Sequence, residues 1–172
     1  MKKFFLIAIL FYLLGFGAAL VFKNYFLYMK INLLSIDYAN SATKTSNDLF
    51  FEILKNNSNV YLACISGFMT FGLYTALSTF YNGFVLGYLL VTLNRFFDTY
   101  AFILDRLLPH SFEIVGVIIS STLGFYLTHY FLGHFFFKSN LHFEFKKAYT
   151  LFIIGYLIIL TSALIESHVS AA

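Results

Sequence analysis

Apolar and polar positions fall in long blocks along this chain rather than alternating singly. Phe4 to Phe22, Asn59 to Phe80 and Ala148 to Ile165 contain no charged side chain, and Phe112 to Phe137 contains only Glu113. A helix rises about 1.5 Å per residue, so runs of roughly 20 apolar residues cross a hydrocarbon layer about 30 Å thick. Each block therefore predicts a membrane-spanning helix. Lys2-Lys3 before the first block resembles the start of a signal peptide, but Leu20-Val21-Phe22 continue the apolar run past Gly15, Gly17, Ala18 and Ala19. An uncleaved first span over 4–22 is the better reading.

The region between the second and fourth blocks is less regular. Asn82-Gly83 predicts a tight turn, because both residues tolerate positive φ. From Phe84 the mainly apolar run stops at Leu93, ten residues or roughly half a bilayer. Either the helix continues to about Leu104, carrying Asn94, Arg95 and Asp98 into the membrane, or the segment before Pro109 turns back as a re-entrant hairpin. In a continuous helix Arg95 and Asp98 are spaced i, i+3 and can pair. Before span two, 40–48 reads as a loop and Asp48–Lys55 as a short amphipathic helix at the interface. Gly67 and Gly72, with Ala63 and Ala76, give span two a small-residue face for close packing. The prediction is an all-α polytopic membrane protein, one domain over 1–172, with about five spans near 4–22, 59–80, 84–104, 112–137 and 148–165.

Composition narrows the class. Hydrophobic residues make up 60% of the chain, charged residues 11%, and mean hydropathy is +0.79. Soluble domains carry about 25% charged residues, so an ordinary soluble fold is excluded. With 13 tyrosines and no tryptophan, tyrosine must fill the interfacial aromatic belt. The formal charge of +3 is scattered, with no dense basic run, so nucleic acid is not an expected partner. Cys64 is the single cysteine, which rules out an intrachain disulfide and reads as a small packing residue. There is no Ser-His-Asp spacing, phosphate-cradling glycine loop or zincin signature, so neither an enzyme nor a bound cofactor is expected.

Five spans with a cytoplasmic N-terminus put Lys2, Lys3, Lys138, Lys146 and Lys147 inside, close to span ends, where the positive-inside rule has most force. Lys23, Lys30, Lys44, Lys55 and Arg106 then lie outside, four of them diluted through a longer loop. This topology brings Asn57, His110, Glu113 and Glu166 to one membrane depth on the outer face. Glu113 to His129 is sixteen residues, roughly 24 Å of helix, which places His129 and His134 near the inner face. A carboxylate at the mouth of an apolar helix is costly to desolvate and needs a partner or a job. One imidazole and two carboxylates suit zinc or a similar ion, but the spacing does not establish a metal site. A protonatable relay or ion pathway is chemically equally possible. The structural account is equally simple: Pro109 stops a preceding helix, Ser111 caps the next, and Glu113 in the first turn suits the helix dipole.

Several of these residues, in order, resemble the stage II sporulation protein M family of integral membrane proteins. The resemblance covers about 50–168. It rests on Lys55-Asn56-Asn57, the Gly67 and Gly72 spacing, Tyr81-Asn82-Gly83 with Gly87, Pro109-His110-Ser111-Phe112-Glu113, Gly124 and Ala163-Leu164-Ile165-Glu166. Family members of this type usually carry glycine where this chain has Ser111. The resemblance implies a polytopic helical protein of the cell membrane without catalytic activity, working with other membrane proteins or as a homo-oligomer. Roles associated with similar proteins include anchoring cell-wall-degrading partners and circular-bacteriocin maturation, export or immunity, and the residues do not choose between these and other roles. In the bacteriocin role the outer polar group would receive a peptide or cation.

Overall fold

The computed structural model describes residues 1–22, 46–93, 108–137 and 142–171, omitting the side chains of 92, 93, 108–110 and 169–171. Among the described residues there are five α-helices and no strand: α1 (Lys2–Val21), α2 (Ser46–Ser66), α3 (Leu73–Leu93), α4 (Leu108–Phe135) and α5 (Phe145–Ala171). A short 3₁₀ turn, Gly67–Thr70, joins α2 to α3. Among the described residues three helices are long and apolar enough to cross a membrane, over Lys2–Val21, Ser111–Phe135 and Phe145–His168.

The helix boundaries correct three sequence expectations. The 59–80 block is not one helix. The chain breaks after Ser66, reverses through Phe71 (φ 54°) and Gly72 (φ 83°), and starts α3 at Leu73. Conversely, Asn82-Gly83 forms no turn and lies inside α3. Asn82 is satisfied there because its Nδ2 donates to the Ser78 carbonyl, 2.8 Å away and one helical turn back. Residues 48–55 are not a separate helix but the first half of α2. The Arg95–Asp98 pair and the choice between an extended and a re-entrant segment at 94–107 lie outside the described residues.

The most extensive helix pairing is α1 with α3. It is parallel, since Gly83 faces Tyr12 and Phe16 while Gly87, one turn on, faces Phe16 and Ala19. A Cβ at Gly83 would overlap the Tyr12 carbonyl oxygen, and one at Gly15 would overlap that of Phe80. The two backbones touch because glycine leaves room, which is how helices gain dispersion contact where lipid provides no hydrophobic drive.

Helix α4 runs antiparallel to α1, α3 and α5. Phe4 meets Tyr126 edge-on and His129 at a tilt, while Tyr12 packs with Val117. Gly72 meets Thr128, and Thr79 meets Ser121. Gly116 meets Ile159, and Tyr126 stacks on Phe143. Helix α2 closes the bundle against α4 and α5. A Cβ at Gly124 would overlap the Cys64 carbonyl oxygen, and the Tyr61 hydroxyl donates to the Phe152 carbonyl oxygen at 2.8 Å. Replacing Tyr61 with phenylalanine is expected to cost about 1 kcal/mol of unfolding free energy in detergent. An unchanged denaturation midpoint would remove that bond from the account.

Polarity is inverted relative to a soluble fold. Fully buried positions include Thr75, Thr79, Ser120, Ser121 and Ser162, whereas Leu6, Leu10, Leu13, Leu77 and Leu157 are more than half exposed. The interior hydroxyls are tied down. Thr75 donates to the Cys64 carbonyl at 2.8 Å, and Thr79 to the Thr75 carbonyl at 2.6 Å. Thr79 and Ser121 lie 2.6 Å apart; a hydroxyl has one hydrogen, so Ser121 donates to Thr79. Soluble proteins place leucine inside and hydroxyls outside.

The two ends of the bundle also differ. One holds the start of α1, the α2–α3 turn, the end of α4 and the start of α5, with Lys2, Lys3, Lys146 and Lys147 against Glu144. The other holds the start of α2, the start of α4 and the end of α5, where Asp48, Glu52, Glu113 and Glu166 face Lys55 among the described residues.

Candidate functional site

The acidic end carries the polar residues singled out from the sequence. Asn57 lies in the polar half of α2, one turn before Tyr61, whose ring sits between Phe152 and Tyr156 of α5. That packing turns the Asn57 face of α2 into the bundle, leaving Asn57 3% exposed. Its Nδ2 has no hydrogen-bond partner, and its Oδ1 has only a long 3.4 Å contact from the Asn56 Nδ2. The buried Ser58 hydroxyl next to it also lacks a partner. A buried amide or hydroxyl left unsatisfied costs about 1–3 kcal/mol, so two adjacent ones are unusual in a tightly packed helix.

Glu113 is half-buried in the first turns of α4, within electrostatic reach of the Tyr12 hydroxyl of α1. Its neighbour Ile114 and Val60 of α2 pack against the cluster formed by Tyr12, Cys64 and Val117. Glu113 and Asn57 thus flank the same three-helix junction, each within about one turn of it. Glu166 is half-buried near the end of α5. Beside it the buried Ser167 hydroxyl donates to the Leu164 carbonyl at 2.9 Å. The His168 Nδ1 lies 2.8 Å from that carbonyl, which requires the Nδ1–H tautomer or the imidazolium.

Asn57, Glu113 and Glu166 are therefore at one end of the bundle, on three different helices. Pro109 and His110 lie in the first turn of α4, and their side chains are outside the described residues. His129 and His134 are at the other end, His129 beside Phe4 and His134 stacked on Tyr130. Among the described residues no three His, Cys, Asp or Glu side chains gather closely enough to hold a metal ion. Of the packing residues, Gly67 and Gly72 bound the α2–α3 turn, Gly83 and Gly87 line the α1 crossing, and Gly124 admits Cys64 and Thr75.

Tyr12, Ser58 and His168 were not singled out from the sequence. Tyr12 sits in an uninterrupted apolar run, and only the approach of α4 gives it a carboxylate neighbour. Ser58 is one of several polar residues in 56–59, and nothing local marks which of them is buried. His168 had a signal, the second ionisable group in Glu166-Ser167-His168.

Comparisons with known proteins bear on what this arrangement belongs to. The family model described as stage II sporulation protein M matches residues 4–171. An uncharacterized protein of Methanocaldococcus jannaschii, MJ0793, is 36% identical over 77 residues, which span 44% of this chain and 43% of that protein. No solved structure matches. The chain belongs to the stage II sporulation protein M family.

Proposed function

We propose that this family member is a cell-membrane protein crossing the bilayer five times, with its lysine-bearing end in the cytoplasm, and that it works by assembling with protein partners rather than by catalysis. The observation that carries the membrane part is the inverted polarity, with leucines facing out and hydroxyls facing in. Among the described residues, four lysines against one glutamate at one end support the orientation. The buried hydroxyls support a non-catalytic role, because Thr75, Ser120, Thr122 and Thr128 each donate to a backbone carbonyl. Such hydroxyls hold helices together and are not poised as nucleophiles. Crosslinking in native membranes, followed by gel filtration in mild detergent, is expected to recover a complex containing a second protein or further copies of this chain. Recovery solely as a free monomer would contradict it.

The unsatisfied amide of Asn57 favours a second reading, in which the acidic end serves transport, peptide export or immunity. Under it, Asn57, Glu113 and Glu166 form a receiving site for a cation, proton or peptide. Replacing Asn57 with leucine is expected to leave the fold as stable as before or about 1 kcal/mol more stable, because an unpaired buried amide is removed. Glu113→Gln and Glu166→Gln should accumulate normally but lose the flux or export phenotype. Full activity in all three variants would reject the second reading and leave the first intact.

A further inference from the structure

We propose that the lysine-bearing end of the bundle binds the headgroup of an anionic phospholipid between the start of α1 and the start of α5. The proposal rests on the membrane reading above. Phe4 of α1 shares one buried cluster with Tyr126 of α4 and Ala148 of α5, and Met1 and Phe143 pack against it. That cluster sets the first turn of α1 beside the first turn of α5, although the two helices start 143 positions apart. Lys2, Lys3, Lys146 and Lys147 therefore converge from two distant segments, and all four are exposed.

Among the described residues the charge is not cancelled locally. Glu144 is the one acidic residue described at this end, and its partner Lys147 holds its carboxyl below the usual carboxylate range. Lys2, Lys3 and Lys146 remain as excess positive charge. Lys3 Nζ lies 4.9 Å from the Phe4 ring centroid, which holds the ammonium above the apolar cluster. Around the lysines Phe137, Phe145 and Tyr149 are 76%, 74% and 63% exposed. Aromatic rings next to ammonium groups match the headgroup layer, where rings enter the acyl boundary and lysines meet phosphodiesters. A soluble acidic protein would also have to cover those rings, whereas the bilayer covers them without a further partner. That difference favours lipid.

The test is native mass spectrometry of the full chain, released from detergent and titrated with phosphatidylglycerol or phosphatidylcholine. Phosphatidylglycerol is expected to be retained about tenfold more strongly. The combined variant Lys2→Ala, Lys3→Ala, Lys146→Ala, Lys147→Ala should lose the preference, while Lys55→Ala at the opposite end should keep it. Equal retention of both lipids by the unaltered chain, or a matching loss in Lys55→Ala, would overturn the proposal. Displacement of the lipid by millimolar inorganic phosphate would identify a free-phosphate site instead and also overturn it. Alkaline extraction separates the two levels. Release from membranes would refute insertion itself, whereas a chain that resists extraction but shows no lipid preference refutes this proposal alone.

Discussion

Replacing Gly83 with leucine is expected to remove the folded protein from membranes. The Cβ alone would overlap the Tyr12 carbonyl oxygen, and the Phe16 backbone nitrogen would be 3.2 Å away. Both obstacles are backbone, so no rotamer change relieves them. Overpacking an ordinary core costs about 1–3 kcal/mol. Here α1 must move off α3, its most extensive partner, so the cost is expected at or above about 3 kcal/mol, a large part of a total stability of about 5–15 kcal/mol. Gly83→Ala should show the same defect in milder form. The control is Gly17→Leu, because a Cβ at Gly17 meets nothing within 4 Å. Thermal denaturation in detergent and membrane abundance should both rank Gly17→Leu close to the unaltered chain, Gly83→Ala below it and Gly83→Leu last. Equal behaviour of the two leucine variants would mean that α1 does not cross α3 at this point.

The second large effect is expected at the turn between α2 and α3. Gly72 has φ 83°, and its Cβ position lies 3.2 Å from Thr128 Cγ2 and 3.3 Å from Thr128 Oγ1. Valine there would combine left-handed backbone strain of about 1–2 kcal/mol with crowding against α4. Gly72→Val should therefore lose about 3 kcal/mol and splay α2 from α3. The preceding Phe71, also left-handed, is held at a tilt against Phe131 of α4 and edge-on against Phe136 just after it. A Gly72→Val protein with an unchanged melting profile would argue that the 59–80 block is one continuous helix after all.

The reach of the sequence is clearest where the apolar signal is uninterrupted. Segments 4–22, 112–137 and 148–165 correspond to α1, α4 and α5 to within a few residues, because nothing in those runs competes with a helix. In the middle of the chain Asn82-Gly83 reads as the turn and Gly67 with Gly72 as a packing face, whereas the turn forms at Gly67–Gly72 and Gly83 packs against α1. Asn82-Gly83 has the residue types of a turn, but Asn82 spends its amide on its own helix and Gly83 is needed by α1. Neither fact is local, since Tyr12 lies 71 positions earlier. The polar half of α2 was misassigned for a similar reason. Asp48, Glu52 and Lys55 suggest an interface, and only packing against α5 shows that Asn57 and Tyr61 continue the same helix inward. At the acidic end the sequence predicts, by counting, that Asn57, Glu113 and Glu166 share one depth. It could not supply Tyr12 or the unsatisfied Ser58, which depend on how three helices meet.

Cysteine accessibility in intact cells tests most directly whether five alternating crossings put the lysines on one side and the carboxylates on the other. The background is Cys64→Ser, which removes the chain's single cysteine. With Met69→Cys, Lys147→Cys, Lys55→Cys and His168→Cys introduced one at a time, an impermeant maleimide should label the last two from outside and the first two only after the membrane is opened. Labelling of Met69→Cys and Lys55→Cys from the same side would contradict the alternating order, because α2 would then not connect the two faces.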